Sequence, residues 1–368
     1  MNFIDQLSYA SRIFKKSGPL IQLTFFITSR CNLRCPHCFY WKELDSDHSR
    51  ELTIDEITRI ADLLPRLLLL SITGGEPFVR NDVDKIYGIF SEKTRTPIIT
   101  ISSNGFFVGR MSELVPRMLE RHPKTKLLLY LSLDGPEEIH DKIRGEHSYQ
   151  HVMTCLDMLQ MLRKRFNNLG VSLAMTCNKL NEDYLEETFN EFKNSGKVDN
   201  ISLAFVRGNP QDPQAKENVS IEKYRRLTAL KMDAIDNRQL PYFDLFLKNL
   251  ISGKDYYTYQ IVEEVLRHNR CVISCQAGSL FGVLYDNGDV YPCEILNAPV
   301  GNIRDFDYNL PELWAAEAAQ KARETIRQGC RCTFECAMSS SILFNLLYLA
   351  KIGLRALPKM ARRRPSIL

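Results

Sequence analysis

No stretch of this 368-residue chain is apolar for the thickness of a bilayer. The nearest candidate, Ile342 to Leu357, is interrupted by Asn345, Lys351 and Arg355. As a helix closed by Pro358 it would reach about 24 Å, against about 30 Å of hydrocarbon. Met1 to Lys16 lacks the continuous apolar core of a secretory signal, because Asp5, Gln6, Arg12, Lys15 and Lys16 interrupt it. A reducing cytoplasm is therefore expected. Internal repeats and low-complexity tracts are absent, and 18 Gly and 16 Pro are far too few for a collagen-like chain. Eleven Cys in this length are too few for a disulfide scaffold. Surplus charge is missing from the body as well. The net charge is +4, but six basic residues and no acids follow Cys336, which leaves 42 basic against 44 acidic residues before it. A nucleic-acid partner is not expected of such a body.

The composition that remains, 44% hydrophobic and 25% charged, is that of a globular protein with room for a large core. From Gln22 to about Phe205, short apolar runs alternate with amphipathic helical stretches, the pattern of βαβ units on a parallel sheet. Strands are expected at Gln22–Thr28, Leu67–Thr73, Ile98–Ser102, Leu127–Leu133, Val171–Met175 and Ile201–Phe205. Thr53 to Glu56 forms a capping box that opens one intervening helix. Six such units suit either a doubly wound sheet or an incomplete barrel. In both, function gathers at the C-terminal ends of the strands. Gly208 to Pro213 reads as a linker into a helix over about Ile221 to Asn237. A hairpin is expected over Phe281 to Cys293, turning at Asp286, Asn287 and Gly288.

Cys31, Cys35 and Cys38 follow the first strand as C-x3-C-x2-C. Three thiolates on one loop suit a cubane iron–sulfur cluster with one iron left open, whereas zinc would need a fourth protein ligand, for which His37 is the candidate. Here the sequence resembles the radical S-adenosylmethionine (SAM) superfamily, whose defining cysteine motif is matched in full. The resemblance extends over Leu20 to Phe205. It implies a partial (β/α)6 TIM-like barrel in which SAM chelates the open iron of a [4Fe–4S] cluster and is cleaved to a 5′-deoxyadenosyl radical that takes hydrogen from substrate. Gly74, Gly75 and Glu76 resemble the family's GGE motif, with Glu76 accepting from the SAM ammonium. By the same resemblance Ser132 contacts the ribose, Arg144 the methionine carboxylate, Asn104 the nucleoside, and His37 flanks the adenine. As plain sequence, each of these is also an ordinary turn or cap residue.

Cys275, Cys293, Cys330, Cys332 and Cys336, with Cys271 close by, form a second group. With Gly288 five residues before Cys293, and Gly301, Asn302 and Trp314 after it, this region resembles the SPASM and shorter twitch extensions that carry auxiliary clusters. Two further clusters would need eight thiols, and only six lie beyond Cys177. One auxiliary [4Fe–4S] cluster on Cys275, Cys293, Cys332 and Cys336 is expected, with Cys330 as the substitute ligand and zinc as the alternative metal. Glu294 is the candidate catalytic proton acceptor, with a surface carboxylate as the alternative. Cys155 and Cys177 read as buried hydrophobes.

The expected organisation is an amphipathic segment over 1–19, a radical SAM core over 20–207, a helical linker over 208–270, a SPASM/twitch-like module over 271–337 and an apolar, basic tail over 338–368. The expected function is oxidation or cross-linking of a peptide or natural-product precursor, with electrons from a reducing protein such as flavodoxin or ferredoxin. The alternatives are a lipid or isoprenoid substrate at the membrane surface, toward which the tail points, and a noncatalytic iron–sulfur or zinc-binding protein.

Overall fold

A computed structural model describes residues 20–361 apart from 45, 238 and 241–247. The amphipathic segment over 1–19 and the basic residues after 361 lie outside the described residues. The first half alternates strand and helix: β1 (Gln22–Phe26), α1 (Ile54–Leu63), β2 (Leu69–Thr73), α2 (Val83–Lys93), β3 (Ile98–Ser103), α3 (Val108–Arg121), β4 (Lys126–Ser132), α4 (Glu137–Arg144), α5 (Ser148–Arg165), β5 (Leu169–Cys177), α6 (Leu185–Phe192) and β6 (Asn200–Phe205). Two long helices follow, α7 (Ile221–Asp236) and α8 (Lys248–His268). Then come β7 (Phe281–Leu284), β8 (Asp289–Tyr291), β9 (Gly301–Asn302), α9 (Leu310–Ala315), α10 (Glu317–Arg327), α11 (Glu335–Leu343) and α12 (Leu346–Ala361).

All nine strands form one sheet in the order β6-β5-β4-β3-β2-β1-β7-β8-β9. A doubly wound sheet reverses its strand order at a switch point. Here β1 to β6 succeed one another in parallel without reversal, so the winding is that of an opened barrel. Burial of nearly every residue of β1 and β5 explains their continuous apolar sequence, because helices or neighbouring chain cover both faces.

The hairpin in the second half is not a separate sheet. β7 lies parallel to β1, with Gln22 opposite Phe281 and Phe25 opposite Leu284, and turns back through Asp286 to Gly288 into antiparallel β8. The apolar core is continuous too, running from Phe25, Ile72, Ile101 and Leu129 to Leu284, Ile303 and Trp314. The capping box forms as expected, and Glu56 within it also takes bonds from Arg304 (2.7 Å) and the Tyr308 hydroxyl (3.0 Å). Arg304, the Thr53 amide and Tyr308 outweigh partial burial and hold the Glu56 carboxyl at about 2, so α1 is tied to the second half by charge.

At the C-terminus the expected single apolar helix is broken. α11 and α12 meet at 88°, and the Asn345 side chain accepts from the amides of Leu347 (3.0 Å) and Tyr348 (3.3 Å), capping α12 afresh. The helix then continues past Pro358 to Ala361 instead of closing there. Among the described residues no single helix is long and apolar enough to cross a membrane.

Trp314 packs against β7 at Gly282, where an added Cβ would come within 2.4 Å of the indole. Overpacking of this kind typically costs 1–3 kcal/mol. Gly282→Ala is therefore expected to lower unfolding free energy by about 2 kcal/mol in urea titration; an unchanged midpoint would show that Trp314 does not clamp β7 to the sheet.

Candidate active site

The C-terminal ends of the barrel strands converge on a cavity of about 200 Å³. Its lining includes Cys31, Cys35, His37 and Cys38 after β1, Gly74, Gly75 and Glu76 after β2, Asn104 after β3, Ser132 at the end of β4, Arg144 at the end of α4 and Arg207 after β6. Every residue singled out in the first half of the sequence thus faces one space.

The cysteine loop is held from beneath by backbone. Beyond the last pair of β1 and β2, Ile27 N donates to Thr73 O (2.9 Å), Gly75 N to Thr28 O (2.8 Å) and Glu76 N to Arg30 O (2.9 Å). The two chains run so close that a Cβ on Gly74 would sit 2.2 Å from Thr28 O, and one on Gly75 2.2 Å from Arg30 O. Gly74 also has φ +143°, which L side chains rarely adopt. These glycines are required by contact, and two of the amides in the motif are spent on holding the cysteine loop.

Side chains complete the clamp. Asp286, in the β7–β8 turn, accepts from both the amide and the hydroxyl of Ser29 (2.8 Å each). Glu51 pairs with Arg30 (2.9 Å) and accepts from the Thr28 hydroxyl. His48 meets the Ser29 hydroxyl at 3.0 Å. Among the described residues, His48, Glu51 and Asp286 are the one set of three donors close enough for a single ion, and all three are engaged in these bonds to the loop. The sequence signal for Asp286 was read only as a turn.

Glu76 is fully enclosed. Its Oε1 accepts from Phe78 N (3.0 Å) and the Ser103 hydroxyl (2.9 Å), and its Oε2 from Asn104 N (2.7 Å), which leaves Oε2 with room for one more donor. Burial raises its carboxyl to about 7 against the pull of these bonds. Asn104 bridges onward, donating to Asn32 Oδ1 (2.9 Å) in the cysteine loop.

Arg144 is fixed by the wholly buried Asp134 (Nε to Oδ2, 2.6 Å), which leaves its Nη1 3.9 Å from Cys35 Sγ and its Nη2 3.4 Å from His37 Nε2. Burial opposes the charge on Asp134, but Arg144 and the nearby histidines outweigh it and hold the carboxyl below its usual range. Burial keeps His37 neutral, down to about 4, and its Nδ1 is enclosed without a hydrogen-bond partner. Burial also pushes the thiols upward, Cys31 to about 12, with Arg144 opposing the rise at Cys35 and Cys38. Loop thiols in this state need a bound cation to ionise.

Zinc would draw thiolates to about 3.8 Å from one another at Zn–S of about 2.3 Å. Among the described residues no set of three cysteine or histidine donors is close enough to share one ion, and three cysteines on one loop fit a cluster with an open corner.

In the second group, Cys275, Cys293, Cys330 and Cys332 act on one another. Cys332 raises the thiols of Cys275 and Cys293, and Cys330 shares a hydrogen bond with Cys332 and feels Cys275, Cys293 and Cys271. Cys336 stands differently from the expected ligand set. It is an exposed residue on the first turn of α11, and apart from burial, which pushes its thiol up to about 11, the strongest influences on it are Arg207, Glu294 and Glu335 and not the other thiols. Cys155 and Cys177 are core residues at 0% and 2% exposure.

Glu294 is not a surface carboxylate. It is buried and pairs with Arg207 (3.0 Å), whose guanidinium lies over the rings of Phe39 (5.0 Å) and Phe334 (4.5 Å). Burial raises the Glu294 carboxyl while Arg207 opposes the rise. Glu294 does not itself line the cavity; it reaches it through Arg207. Sequence reasoning missed Arg207, although its place two residues beyond β6 is where a barrel presents functional side chains.

The model of the radical SAM superfamily matches residues 25–210. The chain belongs to the radical SAM superfamily. Of the curated relatives of this radical SAM protein, the antilisterial bacteriocin subtilosin biosynthesis protein AlbA of Bacillus subtilis is 24% identical over 84% of the chain and 65% of AlbA. The chain thus spans just under two thirds of that relative. A cysteine-type anaerobic sulfatase-maturating enzyme of Clostridium novyi is 26% identical over 73% of the chain and 71% of its own length. Among solved structures, Streptococcus suis SuiB bound to S-adenosylmethionine superposes with TM-score 0.58 at 18% identity, covering 87% of this chain and 72% of SuiB. SuiB has also been solved bound to its precursor peptide SuiA. The likeness to SuiB shows the shared partial-barrel fold.

The contact at Gly75 yields a direct test. Gly75→Ala is expected to displace the Arg30 carbonyl and, with it, the cysteine loop, so that anaerobically reconstituted protein loses most of the iron bound through Cys31, Cys35 and Cys38. Full iron content in this variant would mean that the loop tolerates separation from the β2 segment.

Proposed function

We propose that this radical SAM enzyme binds SAM in the cavity at the strand ends and removes hydrogen from a peptide, which it oxidises or cross-links. The observation that carries the reading is the convergence of Cys31, Cys35 and Cys38 with Gly74 to Glu76, Asn104, Ser132 and Arg144 on one space. The peptide is favoured by the relatives: AlbA serves subtilosin biosynthesis, the Clostridium novyi enzyme matures sulfatases, and SuiB binds a precursor peptide. Cys31, Cys35 and Cys38 would hold a four-iron cluster, which when bound would supply the electron for reductive cleavage of SAM.

The chain's own residues then have distinct tasks. The remaining acceptor site on Glu76 Oε2 accepts a hydrogen bond from the SAM amino group, and the two Nη groups of Arg144, aimed by Asp134, donate to its carboxylate. Ser132 offers a hydroxyl to the ribose, and Asn104 and His37 border the nucleoside. Glu294, raised by burial and paired with Arg207 behind the cavity wall, is the proton acceptor for a substrate that reaches past Arg207. Cys275, Cys293, Cys332 and Cys330 would hold the auxiliary cluster, Cys330 taking the place first expected of Cys336, and a cluster held there would offer an acceptor for the electron left on the substrate. A cytoplasmic flavodoxin or ferredoxin supplies the first one. The radical SAM core over 20–207 and the auxiliary module over 271–337 remain the proposed units, joined through β1 and β7.

Thiol variants test this assignment. Reconstituted protein is expected to hold about eight iron atoms per chain, as two four-iron clusters, and to release 5′-deoxyadenosine from SAM with dithionite. Cys35→Ala should drop to about four iron atoms and release none. Cys330→Ala should also drop to about four while still cleaving SAM, and Cys336→Ala should keep about eight. Iron loss in Cys336→Ala alone would return the fourth ligand to Cys336, and 5′-deoxyadenosine from Cys35→Ala would overturn the SAM site.

A further inference from the structure

The outward face of α12 is apolar where a solvated helix would be polar. Leu346, Leu347 and Leu354 are 53%, 62% and 66% exposed, and Ala350 and Gly353 between them are exposed as well. At about 100° per residue these five positions occupy an arc of about 120°. Six large apolar residues stand exposed among the described residues, and three of them are on this face. The others, Leu63, Met161 and Tyr184, lie on separate elements.

The opposite face is committed to the protein, so the helix cannot roll to hide the leucines. Ile352 is 4% exposed and rests on Gly253 of α8, where an added Cβ would meet its Cγ2 at 2.6 Å. Tyr348 meets Tyr257 edge-on at 5.6 Å, the Tyr257 hydroxyl donates to Lys351 O (3.4 Å), and Arg355 lies 3.7 Å over the ring of Tyr256. Lys351 borders the apolar arc, with its Nζ 4.8 Å from the Tyr348 ring. The sequence onward adds Lys359, Arg362, Arg363 and Arg364, and no acid occurs after Cys336.

We propose that this face of α12, together with the basic residues that follow it, docks in the plane of an anionic lipid surface. The charge pattern selects lipid over a second copy of the chain, whose matching face would bring the same cations together. A bilayer with negative headgroups instead meets both features at once: the leucines enter the acyl boundary, Lys351 sits at headgroup level, and each Lys or Arg adds about fivefold to binding. The 16-residue helix is too short to span the bilayer and long enough to lie along it. The proposal does not depend on the radical chemistry of the barrel.

Co-sedimentation of the full chain with sucrose-loaded vesicles tests it, using phosphatidylcholine alone and phosphatidylcholine mixed with phosphatidylglycerol. The wild type is expected to partition onto the anionic vesicles and to come off as salt is raised. Leu346→Ser, Leu347→Ser and Leu354→Ser combined should weaken binding at least about tenfold, and Arg362→Gln, Arg363→Gln and Arg364→Gln combined should do the same. Both variants should keep the wild-type melting temperature, since the exchanged leucines hold nothing in the core. A wild type that stays in the supernatant, or binding indifferent to the leucine exchange, overturns the proposal. So does a dimer seen by light scattering that the leucine exchange converts to monomer without lipid binding, which would assign the face to a second copy.

Discussion

The approach of two backbones just beyond the paired ends of β1 and β2 sets the geometry of the site. Where Thr28 to Arg30 runs against Gly74 to Glu76, carbonyl oxygens lie so near the neighbouring chain that only glycine fits. Two amides of the second segment are consumed in holding the first. The cysteine loop therefore starts from a fixed platform, and the three cysteines on it line the cavity at the strand ends. Asp286, Glu51 and His48 brace the same platform from the side, so the turn of the later hairpin helps to set the position of the first cysteines.

Buried charge organises the space above. Asp134 with Arg144 and Glu294 with Arg207 are pairs taken out of water, and such pairs persist only where both partners are well bonded. Their directions differ in a useful way. Asp134 is held charged and aims Arg144 across the cavity, whereas burial lifts Glu76 to about 7 and pushes Glu294 upward against the pull of Arg207. Because β7 extends the sheet beside β1, the chain that carries Cys275 and Cys293 at either end of the β7–β8 hairpin joins the sheet that carries the first cysteine loop.

Much of this was legible in the sequence, for physical reasons. Strands buried on both faces write themselves as apolar runs, so β1 to β6 were placed to within a few residues. The capping box and the Asp286–Gly288 turn are local devices and were read locally. The cysteine motif, Gly74 to Glu76, Asn104, Ser132 and Arg144 each follow a strand or the helix after it, so topology alone brings them together. What escaped were relations between distant parts. The pairing of β7 with β1, the clasp of Ser29 by Asp286, and the Arg207–Glu294 pair join residues far apart in the chain, and no periodicity records them. The fourth thiol of the second group shows the same limit. Cys330 and Cys336 flank Cys332 in one short motif, yet the first interacts with the other thiols of the group and the second with Arg207, Glu294 and Glu335.

The central claim is that the polypeptide supplies three thiolates to the first cluster and leaves its fourth iron for SAM. Electron paramagnetic resonance of the reduced, reconstituted enzyme addresses this most directly. The signal assigned to the first cluster by its loss in Cys38→Ala should change shape when SAM is added, as a small ligand binds to one iron. A signal from that cluster that is identical with and without saturating SAM would mean that a side chain caps the corner, and would contradict the claim.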